Sequence, residues 1–228
     1  MQANPNATAP ITPSQFLDAD GLQDWRVLGD GAAAFYPTES FLMSARLVAA
    51  VSDIPGAADH PPAVDVRAGG VTLRLVTATE EHFGMTQRDA EIARGVSTAA
   101  RQLGLVADPS VVQSMIVIPG VPDAAEVQPF WRAVLGYEPR LDSPDEDLVD
   151  PQDRGTPFWL EAMGEPRPDG GGAVHIAVWV PHERAEARVQ AALAAGGRMV
   201  RDDFAPSWWT LADAAGNEAD IATVTGRD

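Results

Sequence analysis

The sequence predicts an α+β fold of two domains, and three patterns in its 228 residues support that prediction. Two long segments, 40–52 and 86–103, carry apolar residues at the period of an amphipathic helix and alternate with strand-like segments. In the second half, segments 116–140 and 176–201 share one plan: a strand, a proline turn, an amphipathic helix, a glycine and another strand. We therefore expect an antiparallel sheet with helices on one face, followed by paired β-α-β-β-β modules.

Composition suggests where these domains begin and end. Residues 1–11 are small, polar and proline-containing, which is typical of a flexible arm. The stretch GLVADPSVV at 104–112 reads as a junction, because it separates the last predicted helix of the first half from the repeat. The prediction is thus a first domain at 12–108 and a second at 109–228.

Elements of the first domain follow from local signals. Thr12-Pro13-Ser14 has the form of a helix start, and two short strands are expected around the turn Gly29-Asp30-Gly31. The alternation of Val71, Leu73 and Leu75 with Thr72, Arg74 and Val76 predicts a further strand. The second long helix should begin after Thr86, because Asp89 three residues later completes a pattern like a capping box.

In the second domain each copy of the repeat adds strand-like segments after its helix. These lie at 158–163 in the first copy and at 208–213 and 218–224 in the second. Asp123 precedes the helix of the first copy as a candidate N-cap. Two such modules can place their sheets side by side and enclose a cup.

Charge and composition exclude several classes of function. The chain has 16 basic and 33 acidic residues, a formal net charge of −17, and every basic residue is arginine. A nucleic-acid surface is not expected, because no basic cluster stands out from this acidic field. Absence of cysteine excludes disulfides and thiolate ligands, and no apolar run reaches the roughly 18–20 residues of a membrane span. With no signal-peptide pattern at the start, we expect a cytoplasmic protein.

The first candidate site centres on Asp59-His60-Pro61. Imidazole suits proton transfer because its pKa lies near neutral pH. Around this segment a characteristic series of residues occurs in order: Asp24-Trp25, Phe35-Tyr36, a helix ending near Asp53, Val71 to Val76, Thr77-Ala78, Gly84-Met85-Thr86 and Asp89. In this order and spacing, residues 12–103 resemble the pterin-4a-carbinolamine dehydratase family.

The resemblance implies dehydration of a 4a-hydroxy-tetrahydropterin, a hydro-lyase reaction for which no cofactor is expected. A proton must be given to the leaving hydroxyl and one removed from a ring nitrogen. Of the family's three histidines, this sequence keeps only His60 in register. Asp59 stands at the first position and is a candidate base, while Ala78 stands at the third. His82, in a loop longer than the family pattern, is a candidate replacement for the missing imidazole.

Three further residues belong to this prediction. Asp89 is a candidate catalytic residue and equally a candidate first-turn acid of its helix. Pro61 and Thr77 are candidate substrate contacts. The alternative for His60 is a loop histidine that caps a turn before Pro61.

The second candidate site lies in the repeat. The residues that carry it are Phe130-Trp131, Val134-Leu135-Gly136-Tyr137, Val174-His175-Ile176, Leu211-Ala212-Asp213 and Gly216-Asn217-Glu218. In these residues, positions 114–225 resemble the glyoxalase-like domains of the vicinal oxygen chelate superfamily, whose cup holds up to four metal ligands.

Alternation in the strands indicates which side chains face the cup. His175 and Trp179 fall on one face of their strand and the β-branched residues on the other. His175, Glu161 and Asp220 are therefore candidate ligands of a divalent metal, with the fourth ligand missing. Trp179 is a candidate substrate contact, and the alternative is a cup that binds an organic molecule, or nothing, without metal.

Three functions stay open from the sequence. The first is dehydration of a pterin by His60 and Asp59. The second is a metal-dependent lyase, isomerase or dioxygenase reaction on a small oxygenated molecule in the second domain. The third is a non-catalytic role in binding a small ligand or in oligomerisation. The expected partners are a pterin-like small molecule and further copies of this chain, with no nucleic acid and no membrane.

Overall fold

The computed structural model describes residues 7–163, 174–212 and 218–227, and it divides into two compact units. The first contains the described residues up to Thr77 together with His82–Val112, and the second contains Ala78–Glu81 and the described part of Gln113–Arg227. Residues 1–6, Asp213, Gly216 and Asn217, together with the side chains of Phe130 and Val134, lie outside the described part.

Seven strands and three helices precede the junction. They are β1 (Pro10–Ile11), α1 (Pro13–Leu17), β2 (Arg26–Leu28), β3 (Gly31–Pro37), α2 (Phe41–Ser52), β4 (Ala63–Arg67), β5 (Gly70–Leu75), β6 (Thr77–Ala78), β7 (Phe83–Thr86) and α3 (Gln87–Gln102).

The first unit is built on a four-stranded antiparallel sheet in the order β2-β3-β5-β4. Along β5, Val71, Leu73 and Leu75 are buried, whereas the residues between them are only half-buried, so one face carries most of the apolar contact. Helices α2 and α3 pack against each other. The Trp25 indole N–H donates to the Ala93 carbonyl and to Ser97 Oγ, both at 3.2 Å, which ties the start of the sheet to α3.

The segment predicted to be a flexible arm takes part in the fold from Ala7 onwards. Pro10 and Ile11 pair with β7 in antiparallel register, and the carbonyls of Ala9 and Ala7 accept from the backbone N–H groups of Gln87 and Arg88 at 3.0 and 2.7 Å. The first N–H groups of a helix lack partners within the helix. Small, polar residues in this segment predicted a flexible arm. The N–H groups at the start of α3 instead donate hydrogen bonds to its backbone carbonyls and hold the segment in place.

In the described part of the second unit there are nine strands and two helices. They are β8 (Ser114–Val121), α4 (Ala124–Leu135), β9 (Glu138–Arg140), β10 (Ser143–Val149), β11 (Phe158–Trp159), β12 (Glu161–Ala162), β13 (Val174–Trp179), α5 (His182–Ala194), β14 (Arg198–Arg201), β15 (Trp208–Ala212) and β16 (Glu218–Ala222).

Pairing in this unit follows the two-module plan. β8 and β13 lie antiparallel at the centre, with Ile116 opposite Ala177. Each module ends on a strand parallel to its own first strand: β11 lies beside β8, and β16 beside β13. The sheet order β14-β15-β16-β13-β8-β11-β10-β9 therefore sets the modules side by side. The predicted α+β class and the paired β-α-β-β-β arrangement are confirmed.

Helix α4 shows how local sequence sets the bounds of a module. Asp123 Oδ1 accepts from the Ala125 N–H at 2.9 Å and caps the start of the helix. Gly136 follows the helix in the left-handed region, with φ of 69°, a conformation that glycine adopts without steric cost. In the described residues, no helix is both long enough and apolar enough to cross a membrane.

Candidate functional site

A histidine–carboxylate pair lies in the first unit. His60 Nε2 is 2.7 Å from Asp89 Oδ1, and the Asp89 side chain is fully buried while the imidazole is 19% exposed. The loop between α2 and β4 positions the ring through successive turns, in which the N–H groups of Asp59 and His60 both donate to the Gly56 carbonyl. The pair therefore joins a turn-rich loop to the first turn of α3.

Asp89 is held by hydrogen bonds on both of its oxygens. Its Oδ2 accepts from the hydroxyls of Thr77 and Thr86, each at 2.7 Å, and from the Thr86 N–H at 2.8 Å. Burial by itself raises the pKa of this carboxyl, but the hydrogen bonds from His60, Thr86 and Thr77 outweigh burial and lower it. The group is thus an anion fixed in one orientation, and it is the predicted first-turn acid of α3. Its catalytic role stays a prediction.

This arrangement defines what the imidazole can do chemically. Because Nε2 faces a carboxylate, it carries the hydrogen, and Nδ1 is the nitrogen that can exchange a proton with a bound molecule. A buried carboxylate on the far side of the ring fixes the tautomer and the orientation of the imidazole. The pair has the geometry of an oriented acid–base group.

The other residues predicted for this site have different surroundings. Asp59 and Pro61 are exposed, and Thr77 reaches the site through its bond to Asp89. The His82 ring lies 3.2 Å from the carbonyl oxygen of Met85, which is in its own loop segment. His60, Asp89 and Thr77 are therefore brought together, whereas the parts of Asp59 and His82 in proton transfer stay predictions.

In the second unit a cavity of about 700 Å³ opens between the two modules. His175, Ala177 and Trp179 line it from β13, as the alternation of that strand predicted. Glu161 and Asp220 line it as well, from β12 and β16. The candidate residues of the repeat therefore line the same cavity.

Within the cavity, His175 pairs with Asp220. Their Nε2 and Oδ2 atoms are 3.5 Å apart, and Asp220 Oδ1 accepts from the Thr210 hydroxyl at 2.7 Å. The hydrogen bond that the His175 imidazole donates to Asp220 raises the pKa of His175; burial opposes this, and the charges of Asp220, Glu161 and Glu218 add to the increase.

The predicted metal site does not fit this geometry. Among the residues that the structure describes, no group of three or more histidine, aspartate or glutamate side chains is placed to hold a metal ion. The His175 imidazole is engaged with Asp220, with Nε2 3.5 Å from Oδ2. Alternation along a strand predicts which side chains face the cavity. It does not predict whether those side chains come close enough together to bind one metal ion.

Several residues of the two sites were missed by sequence reasoning. Thr86 was read only as a helix cap, although it also fixes Asp89. Glu218 lines the cavity two residues before Asp220, so the same period-2 rule would have found it. Arg227 and Trp208 also line the cavity; Arg227 follows the last strand in a segment with no periodic pattern.

Comparison with known proteins gives a match for each half. Residues 115–222 match the family model described as "Glyoxalase-like domain". Over 80 residues, 35% of this chain and 82% of the relative, the N-terminal part is 35% identical to the protein named "Putative pterin-4-alpha-carbinolamine dehydratase" of Nocardia farcinica (strain IFM 10152). Both resemblances inferred from the sequence are confirmed.

Two solved structures each match about half of this chain. One is described as NAD-dependent benzaldehyde dehydrogenase from Legionella pneumophila, with 15% identity, a TM-score of 0.37 and coverage of 48% of this chain and 97% of that chain. The other is described as a glyoxalase/bleomycin resistance protein/dioxygenase superfamily member from Vibrio splendidus 12B01. Its identity is 18%, its TM-score 0.33, and the match covers 49% of this chain and 99% of that chain.

Proposed function

Because the chain belongs to the pterin-4-alpha-carbinolamine dehydratase family, we propose that its first unit removes water from a 4a-hydroxy-tetrahydropterin. The observation that carries this proposal is the 2.7 Å contact between His60 Nε2 and Asp89 Oδ1. It gives the one family histidine that this sequence keeps in register a fixed orientation.

The reaction breaks the bond between carbon 4a and the hydroxyl oxygen. That oxygen leaves as water after it accepts a proton, and the neighbouring ring nitrogen loses its proton as a C=N double bond forms. We assign to Nδ1 of His60 the uptake of one proton and the delivery of another, because imidazole is the side chain that most often serves as a general acid and base. Asp89 acts through His60 as a positioning residue. Asp59 and His82 are the candidates for a second proton-transfer group.

The alternative of metal-dependent chemistry in the second unit has less support. His175, Glu161 and Asp220 line one cavity, but their arrangement does not fit a metal ion, so no reaction step is assigned to one there. A binding role for that cavity is a separate question and is treated below.

The test is a spectrophotometric assay of the full chain for loss of the 4a-hydroxy-tetrahydropterin. We expect His60→Ala to lower kcat/KM by about 100-fold or more, which is the usual contribution of a positioned acid–base group. Asp59→Asn and His82→Ala, assayed in parallel, identify the second proton-transfer group as the one whose loss reduces the rate.

His182→Ala is the matched control. This histidine is exposed at the start of α5 in the second unit, so the same substitution there should leave the rate unchanged. Equal rates for wild type and His60→Ala would end the proposal for dehydration by this group. Thermal unfolding of each variant separates a loss of chemistry from a loss of fold.

A further inference from the structure

Three indole side chains form much of the wall of the cavity in the second unit. Trp159, Trp179 and Trp208 all line this space of about 700 Å³. That volume is within the range of roughly 300–1,000 Å³ in which proteins enclose small organic molecules. A wall of indoles favours a flat, polarisable ligand over a saturated one.

A cation already lies over two of these rings. The guanidinium carbon of Arg227 is 4.5 Å from the ring centroid of Trp179 and 5.0 Å from that of Trp208. Indole faces attract cations through their quadrupole, and the guanidinium group is itself planar and delocalised. The protein's own side chain therefore shows which shape and charge this part of the cavity accepts.

The remaining wall is rich in carboxylates. Five line the cavity, and one of them, Asp147, is neutralised by Arg140 at 2.9 Å. The other four are Glu146, Glu161, Glu218 and Asp220, against which Arg201, Arg227 and His175 stand as basic lining groups. If the Arg227 side chain moves out of the cavity, the net negative charge of the lining increases, and a bound cation would compensate for it.

The same wall carries donors without acceptors. The indole N–H groups of Trp159 and Trp179 are buried and have no hydrogen-bond partner among the described residues. Buried polar groups are rarely left unpaired in folded proteins. Both nitrogens are enclosed by protein atoms, so a ligand in the cavity meets the ring faces of these tryptophans and not their N–H groups.

We propose that this cavity binds a planar aromatic cation, such as an arylamidine or a protonated amino-heterocycle, stacked on Trp179 and Trp208 at the place that Arg227 occupies in the free protein. The charged nitrogen is directed towards Asp220 and Glu218. This binding site is independent of the dehydration proposed for the first unit.

The experiment is isothermal titration of the full chain with three probes of similar size. Benzamidine is the planar cation, benzoate the matched anion and benzyl alcohol the neutral analogue. We expect saturable one-to-one binding of benzamidine, at least tenfold tighter than that of either other probe. Benzoate binding as tightly as benzamidine, or no saturable binding of benzamidine, would overturn the proposal.

Variants locate the binding. Arg227→Ala should tighten benzamidine binding several-fold, because it removes the competing guanidinium, and weaker binding instead would overturn the proposal. Asp220→Asn should weaken benzamidine binding about tenfold. Asp145→Asn removes the same charge from an exposed position outside the cavity and should have no effect; an equal loss in both variants would show only a general charge effect and contradict the assignment.

A folding defect in Asp220→Asn has its own control. Glu218 is a half-buried lining residue at the start of β16, and the proposal places the charged nitrogen beside it, so Glu218→Gln removes the second predicted contact. If Asp220→Asn lowers the Tm, Glu218→Gln takes over the comparison with Asp145→Asn. Unchanged benzamidine affinity in Glu218→Gln would then count against the proposal.

Discussion

His60 Nε2 and Asp89 Oδ1 lie 2.7 Å apart across 29 residues of sequence. The contact joins the loop that follows α2 to the N-terminal turn of α3, where a carboxylate is also favoured by the positive end of the helix dipole. One buried side chain thus serves the stability of a helix and the orientation of an imidazole.

We expect Asp89→Asn to lower the free energy of unfolding by about 2–4 kcal/mol, because it weakens a helix cap and leaves buried donors poorly matched. Asp59→Asn, at an exposed position on the neighbouring loop, should change that free energy by less than about 0.5 kcal/mol. Urea denaturation of both variants measures the difference. Similar losses would mean that the buried contacts of Asp89 do not stabilise the fold.

Acid should destabilise the protein through the same carboxyl. The folded-state pKa of Asp89 lies below its ordinary value of 3.8. Its stabilising contribution is therefore present above pH 3.8 and is lost as the pH falls through the lower folded-state pKa. Unfolding free energies of wild type and Asp89→Asn, measured from pH 6 to pH 2, should converge as the acid limit is approached. A constant difference down to pH 2 would contradict the direction of this pKa shift.

The His175 pair should respond in the opposite direction. Asp220 raises the pKa of His175 above its ordinary value of 6.5. Its stabilisation is then fully present below pH 6.5 and is lost as the pH rises through the folded-state pKa. An NMR titration of the four histidines measures this pKa directly. Asp220→Asn should lower it, because burial then opposes the charged ring with less compensation; an unchanged pKa would contradict the pairing.

Two adjacent glycines at the start of β5 should differ sharply in their tolerance of alanine. Gly70 has φ of 153°, and a Cβ there would overlap the Tyr36 carbonyl oxygen and lie 2.8 Å from the Phe35 ring. At Gly69 a Cβ would meet nothing within 4 Å. We expect Gly70→Ala to cost about 2–4 kcal/mol of unfolding free energy and Gly69→Ala less than about 1 kcal/mol. Chemical denaturation of the two variants tests the contrast.

Elements with strong local signals were predictable from the sequence. The capping box of Thr86 and Asp89 fixed the start of α3, and helical periodicity identified α2. Strands β4 and β10 were missed because their stability comes from pairing with neighbours and not from their own pattern. β10 has the sequence SPDEDLV, whose three consecutive acidic residues give no strand signal.

Individual residues of the two candidate sites could be picked out from the sequence, but the contacts between them could not. Adjacency in sequence suggested that Asp59 acts with His60, yet in the turns of this loop Asp59 is exposed while the His60 ring reaches Asp89. The true contact to Asp89 depends on how the loop after α2 folds over α3, which no local pattern records. Alternation placed His175 on the cavity wall but could not tell an ion pair with Asp220 from a metal site.

The carbonyls of Ala7 and Ala9 complete the start of the helix that carries Asp89. A single proteolytic nick in that leader would free both acceptors while the sheet and its apolar contacts stay intact. The N–H groups of Gln87 and Arg88 would then lose their partners, so intact mass is the quality criterion to apply to a purified sample before its activity is assayed.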